Sequence, residues 1–600
     1  MRLTRLGQIA LALVVIALLL VGLVMNFDFG LLRPTLERRL SAALQRPVRI
    51  GTLRRLDHGF HPTLRIEDLH IAQPAWAGPG DMLHIRSALV RLRLLPLLIG
   101  RAEPDSLDID GLDLALVRQD VVHANWKGLP HAGGTGPSHI AITDGLVTFD
   151  DRKRDHRFTA RLVADDTRFV LAGPGSLAGH PSTIRLAGPT LASMGPWPFR
   201  LDYRSAIVTT VLIGRADHPL DLRHFTAHAT GWGDDLKHLD LLIEAGLPGS
   251  QPFRLTGDVA HDGTAWSVRN LTGRVGRSDV ALSIDMKKVD GRTKLDGDFT
   301  SNGLDFADLS SNDGLARAAA KRAGAGPRLF PDTAIHLEHM RRTDAVLRID
   351  FRRLLSSQAS SIRSLKGTIT LDHGVMTAAP LVAGMTSGQV TGQAVIHHVS
   401  GMPLFTADLR LDGARLETLI PQDMATGALT GRLRLSGHGR TIREAAGNGT
   451  GSIALVVRNG TIGRRAALFL GSDMGRALFE KKDATTGMRC LIARFDARDG
   501  RATPAPLLID SDVARVDGEG LVDLSTEGLL LRLTGQPKLA NAVPVKDPIQ
   551  VEGTIEQPKV VSPRVVGDVF KLIGHAIAGK RAETVGDADC VGLAARALGN

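Results

Sequence analysis

Cysteine, aromatic residues and a second long apolar run are what this 600-residue chain has least of. Its two cysteines, Cys490 and Cys590, exclude a cysteine-built zinc site and an iron–sulfur cluster from one chain. Two readings of the pair stay open: a bridge that pins the C-terminus back onto the body in an oxidising compartment, or two thiols buried as small hydrophobes. Aromatics make up 4% of the residues, with one tyrosine, which leaves few stacking platforms for bases or sugars. The net charge is +10, yet the basic residues are scattered rather than gathered into blocks, so no footprint for DNA or RNA stands out.

Catalytic signatures are missing as well. There is no G-x-S-x-G elbow, no phosphate loop and no H-E-x-x-H pair. His336-Leu337-Glu338-His339 is the nearest approach to a metal motif, but its histidines are three apart and no third ligand is close in sequence. His58 with His61, and His397 with His398, take the same discount. Ala323-Gly324-Ala325-Gly326 lacks the strand-to-helix setting of a phosphate loop. The expectation is a protein with no catalytic, cofactor-binding or metal-binding residues, and not an enzyme.

What is present begins at the N-terminus. Ile9 to Met25 carries no charge and, as a helix rising ~1.5 Å per residue, covers ~26 Å, close to the hydrocarbon thickness of a bilayer. Arg2 and Arg5 precede the run and no A-x-A site follows it, which points to an uncleaved signal anchor over residues 1–30, with the membrane crossed by 9–25. The arginine-bearing N-terminus favours the inside, so the remaining chain is exported.

Beyond a helix expected at Pro34 to Gln45, the pattern shifts to a period of two. It recurs at Leu64 to Ile71, Leu107 to Leu116, Ile142 to Phe149, Val280 to Met286, Ile369 to Met376, Leu429 to Leu435, Ile453 to Ile462 and Leu521 to Leu533. Asp144-Gly145, His373-Gly374, Asn459-Gly460 and Asp499-Gly500 read as hairpin turns, and a mostly antiparallel sheet follows. Short helices are expected at Ala466 to Lys482, near Leu416 to Ile420 and at Val566 to Ala578; His131 to Pro137 and Ala318 to Pro327 read as loops or linkers. Val289 to Leu309 aligns without gaps on Val399 to Leu419, suggesting one unit used twice: strand, turn, strand, short Leu-x-x-Leu segment. An alternating sheet has one apolar face to hide, and helices are few. Either a packed β core or a trough lined by aliphatic residues, favourable to acyl chains, satisfies this pattern.

Several motifs in order resemble the AsmA family. Leu36-Glu37-Arg38-Arg39-Leu40-Ser41 and Arg46-Pro47-Val48-Arg49-Ile50 follow the anchor, then Leu64 to Asp68, Ala72-Gln73-Pro74-Ala75-Trp76, Leu94 to Gly100, Leu107 to Gly111 and Ala124-Asn125-Trp126. His123 departs from the glycine more usual before the Asn-Trp pair. In the C-terminal part the resemblance rests on Gly447 to Gly451, Val457 to Ile462, Cys490 with Phe495, Asp499-Gly500, Val516 to Gly520, Gly553 to Ile555 with Pro558-Lys559, and Asp589-Cys590. It is thinnest between about 150 and 260.

The resemblance implies a single-pass inner-membrane protein with a periplasmic body, related to TamB-type and chorein-type bridge proteins whose repeated β units form a lipid-lined groove. It implies a mainly β fold: an elongated, curved, antiparallel repeating β-sheet groove with an N-terminal transmembrane helix and a few short helices. The expected organisation is a signal anchor at 1–30, an AsmA N-terminal region at 31–130, a β-rich middle at 138–317, a linker or helical connection at 318–364, an AsmA-like C-terminal β region at 365–562 and a helical tail at 563–600. The expected function is lipid binding that aids phospholipid transfer toward the outer membrane; the alternative is a scaffold for outer-membrane protein assembly. Expected partners are phospholipids, the inner membrane through residues 9–25, an outer-membrane or envelope protein, and no nucleic acid. About 30 strands spaced ~4.8 Å apart would make a trough of at most ~150 Å, which is why a further partner is expected.

Overall fold

Short alternating runs bounded by Gly, Asp and Asn favour strands joined locally, and strands dominate the chain. A computed structural model describes residues 29–57, 61–93, 103–120, 122–127, 137–193, 195–325, 328–330, 332, 342–355, 361–399, 402–418, 420, 424–471, 473–481, 483–540, 548–561 and 583–599. The Ile9 to Met25 segment, residues 131–136, His336 to His339 and Val566 to Ala578 lie outside them. Among the described residues no helix is long and apolar enough to cross a membrane.

Contacts divide the chain into two compact units, Met1–Gly276 and Arg277–Asn600. The first unit opens with helix α1 (Arg33–Leu44), with Pro34 in its first turn as the sequence suggests. Its strands are β1 (Val48–Arg55), β2 (Thr63–Ala72), β3 (Asp81–Leu92), β4 (Pro104–Arg118), β5 (His139–Asp151), β6 (His156–Ala164), β7 (Phe169–Leu177), β8 (His180–Gly188), β9 (Trp197–Ser205), β10 (Val208–Ala216) and β11 (His224–Gly233). After helix α2 (Leu236–Ile243) come β12 (Phe253–Asp262) and β13 (Ala265–Val275).

The second unit starts with β14 (Ser278–Val289) and β15 (Arg292–Ser301), then helix α3 (Asn312–Ala325). Next are β16 (Thr343–Phe351), β17 (Ile362–Asp372), β18 (Val375–Met385), β19 (Gln389–Val399), β20 (Met402–Arg415) and β21 (Ala425–His438). Helix α4 (Ile442–Gly447), β22 (Thr450–Gly463), helices α5 (Arg464–Leu470) and α6 (Met474–Phe479) and β23 (Thr485–Arg498) follow. The unit closes with β24 (Arg501–Ser511), β25 (Ala514–Asp523), β26 (Gly528–Pro537), β27 (Ile549–Thr554), β28 (Pro558–Val561) and helix α7 (Cys590–Leu598).

Each unit is an antiparallel meander with one exception: β4 and β5 pair in parallel, and so do β15 and β16. The mostly antiparallel order expected from the sequence holds, and at these two places the chain must return the length of a strand before pairing again. A period of two carries no record of strand direction. The second return contains α3, so the Ala318 to Pro327 tract read as a loop or linker is helical as far as Ala325; five of its residues are alanine, the best helix former.

His373-Gly374 and Asp499-Gly500 form the turns between β17 and β18 and between β23 and β24, with positive φ at all four positions. Asp144 and Asn459 share that conformation but lie within β5 and β22, at register shifts. The hairpins expected there are bulges, because a left-handed residue serves either purpose. The aligned segments do adopt one plan: β15 and β20 each run into a short 3-10 turn, Phe306–Leu309 and Leu416–Thr418. Their matching carboxylates, Asp298 and Asp408, each meet an arginine of the next strand, Arg348 and Arg432, at 2.7 Å.

Candidate functional site

Cross-strand register sorts the side chains of each unit onto two chemically different faces. In the first unit Leu162, Leu171, Leu186, Leu201, Leu212 and Ala229 lie side by side across β6 to β11. A second line of rings on that face joins Trp197 to Phe199 (6.3 Å), Phe199 to Phe225 (6.0 Å) and Phe225 to Trp266 (6.0 Å). Among the described residues of β6 to β13, none on this face is Asp, Glu, Lys or Arg. Those charges stand on the opposite face, where Arg200, Ile213, His228, Asp258 and Arg269 are neighbours. A shallow hollow of about 570 Å³ also lies on the charged side, against His228, Asp258 and Arg269; being wide open, it is set aside in favour of the apolar face.

The second unit repeats this segregation over more strands. Phe351, Leu365, Ala383, Val390, Leu411, Gly431, Leu455, Ala493, Leu507, Gly518, Leu533 and Ile549 form one row across β16 to β27 with no charge in it. The adjacent row on the other face holds Asp350, Lys366, Arg410, Arg432 and Arg494.

Among the described residues, helices cover the two strand-end margins of this face over β21 to β23. At one end α5 and α6 place Ala467, Leu468 and Ala477 against Leu429, Val457 and Met488. At the other, α4 sets Ala446 beside Leu435 and Ala497. Between these caps Leu455 is 40% exposed. Phe330, beyond α3, packs in the second cluster with Leu433 and Phe495, while Leu304, before α3, packs with Ile349 and Phe351. The segment that carries α3 thus packs on the apolar face at Leu304 and at Phe330. Its far end is held by Glu527, fully buried, whose carboxylate accepts the backbone N–H groups of Leu329 (2.6 Å) and Phe330 (3.0 Å).

In the first unit the apolar face is the inside of a bend. His156 on β6 and Tyr203 on β9 are three strand spacings apart, ~14 Å in a flat sheet, yet their ring centroids are 5.3 Å apart. Gly173 between them permits this approach, since a Cβ there would sit 2.0 Å from the Thr159 carbonyl oxygen. Burial pushes the His156 imidazole below its ordinary range and the Tyr203 phenol above it, so both are neutral near pH 7. Beside them a charged knot closes the end of the bend. Arg118 pairs with buried Asp151, and Glu244, just past α2, meets Arg118 (3.1 Å), Lys153 (2.7 Å) and Arg154 (2.6 Å). The Arg154 hydrogen bond, joined by the other two cations, holds the Glu244 carboxyl well below the usual range.

A family model for the AsmA family matches residues 2–133 and 236–507, more than half of the chain. The chain belongs to the AsmA family. It is also similar to the AsmA family protein YhjG of Escherichia coli K12, 23% identical over 92% of this chain and 90% of that protein. No solved structure matches it. Membership associates the chain with membrane-bound proteins of the cell envelope.

Several AsmA motif residues have structural contacts. Asn125 is fully buried; its Oδ1 accepts from Val117 N (3.0 Å) and its Nδ2 donates to Ala115 O (2.7 Å) and Gln73 Oε1 (2.8 Å), tying two motifs together. His123, the departure from the family pattern, lies 5.6 Å from Trp76 between ring centroids. Gly500 turns against α4, where a Cβ would fall 1.8 Å from the Gly447 carbonyl oxygen. Cys490 and Cys590 form a disulfide, which decides the question left open above. Through it α7 is held over Ala454, Val456 and Ile492 on the charged face.

The histidine pairs weighed in the sequence are not brought together. His61 is exposed and His58 lies outside the described residues; His397 and His398 are consecutive on β19. Within the helical stretch expected at Ala466 to Lys482, Asp473 caps α6 by accepting from Arg476 N.

Proposed function

We propose that the uncharged face of each unit binds acyl chains, and that the protein thereby aids phospholipid movement through the cell envelope toward the outer membrane. The observation that carries this reading is the charge-free row from Phe351 to Ile549, left open between its helical caps. Patches of this kind on a soluble body mark an interaction site. Each methylene transferred from water to such a face gains ~0.8 kcal/mol, so a dozen gain ~10 kcal/mol before ordering costs. Nothing in that step needs a nucleophile, and the reading is of a carrier, not an enzyme. Residues 9–25 would hold it in the inner membrane by a single pass, with the body in the periplasm, where its disulfide is at home.

Lipid extracted from the purified full chain in mild detergent tests this. Phospholipid at several molecules per chain, lost on placing a charge in the apolar row, supports it; a folded chain without lipid sinks it. A second reading, an assembly scaffold that pairs a client strand with its sheet edge, draws on β28, whose four residues are all exposed.

A further inference from the structure

The opposite face of the first unit carries a cluster of a different kind. His70 on β2 and His84 on β3 are register partners, their rings stacked with centroids 4.4 Å apart. Asp68 has a left-handed backbone, φ 54°, within an unbroken register, and its Oδ1 lies 3.8 Å from His84 Nε2. One ligand atom from each of the three residues lies within 4.8 Å of the other two. Behind His70, Asp81 Oδ2 accepts from Nδ1 at 2.7 Å. A carboxylate in that position fixes the tautomer and leaves Nε2 as the lone-pair nitrogen, the arrangement that typically backs a metal-bound imidazole. The flanking residues are Arg49, opposite His70 on β1, and Asp113, opposite His84 on β4. Three carboxylates against one guanidinium leave an excess of negative charge suited to a dication.

We propose that His70, His84 and Asp68 bind a divalent transition cation, Zn²⁺ first among them, with Asp81 as the orienting carboxylate. Two imidazoles select against Ca²⁺ and Mg²⁺, which take oxygen ligands. Zinc–nitrogen bonds of 2.0–2.1 Å require the two nitrogens to lie within about 4.2 Å, a closure that small side-chain rotations supply. The three residues sit on paired strands, a rigid platform. Asp344, Asp372 and His373 also cluster, but Asp344 already takes Arg292 through both oxygens and accepts from His373 N, and only one imidazole is present. His70 alternates with Leu69 and Ile71, which pack in the core, so the site faces away from the apolar surface and stands independently of the lipid reading.

The test is Zn²⁺ binding to the untagged, chelator-stripped full chain in mild detergent, read by competition with a chromophoric chelator. One equivalent is expected. H70A and H84A should each weaken it at least tenfold, D81N should weaken it about tenfold, and H373A should leave it unchanged. Zn²⁺ should raise the melting temperature of the wild type but not of H70A/H84A, whose metal-free melt should match the wild type. Equal zinc uptake by the wild type and H70A/H84A, or a loss on H373A as large as on H84A, would overturn the proposal.

Discussion

Leu455 stands half out of the sheet between the two capped clusters, with neighbours on β21 and β23 that are glycine and alanine. An aspartate there keeps water on one side, so Leu455→Asp should cut retained phospholipid several-fold while moving the melting temperature by no more than about 3 °C. Leu433→Asp is a different experiment, since Leu433 packs in the cluster capped by α4 near Phe495; a carboxylate there should cost about 3 kcal/mol or more. Thermal melts paired with lipid extraction check both. Titration separates two other residues. The hydrogen bond from His139 Nε2 to Asp108 (2.8 Å), with Asp166 on the other nitrogen, raises His139 above 6.5. Its contribution is complete below pH 6.5 and is lost as pH rises through the raised value. His156 runs the other way: burial lowers it, and it costs stability as pH falls below 6.5. The melting deficit of H139Q against wild type should therefore be larger at pH 6 than at pH 8; an equal deficit would contradict the assignment. Neither histidine stands out in the sequence, because their roles come from strands far apart along the chain.

At the scale of elements, two devices hold the second unit's covering pieces. Glu527 anchors the return after α3 by accepting two backbone N–H groups, helped by Arg443 donating to Phe330 O at 3.0 Å. Glu527→Ala orphans both donors, and a loss of about 2–4 kcal/mol is expected, together with faster proteolysis between α3 and Phe330. Unchanged cleavage would contradict the anchoring. The disulfide closes a separation of 100 residues and holds the N-terminal end of α7, while Arg494 Nη1 donates to the carbonyls of Arg596 (2.9 Å) and Ala597 (3.2 Å) at the other end. Reduction should free α7 and raise hydrogen exchange in β22 to β24 but not in β2 to β5, with up to about 4–5 kcal/mol lost. The alternation in Leu64 to Ile71 or Leu429 to Leu435 made these strands legible, and Pro34 marked α1. The parallel pairs and helices α2 and α4 were not, because direction and short capping helices are settled by packing.

For the whole molecule, alternation in the sequence announced an apolar face without saying which residues share it. The left-handed backbone at Asp68 puts Ile66 and Leu69 in one cluster, although a strict period of two sends them to opposite sides. Only register resolves this, and it resolves the proposed metal ligands with it, since His70 and His84 meet across strands. The family was readable from ordered motifs, and two of their residues, Gln73 and Asn125, are hydrogen-bonded to each other. The most direct measurement of the central claim is photocrosslinking in living cells, with a light-activated residue placed singly at Leu212, Leu365 or Leu455 on the apolar face and at Arg185, Lys366 or Arg410 on the charged one. The account predicts phospholipid adducts at the first three positions and none at the others. Adducts at both sets alike, or at neither, would contradict it.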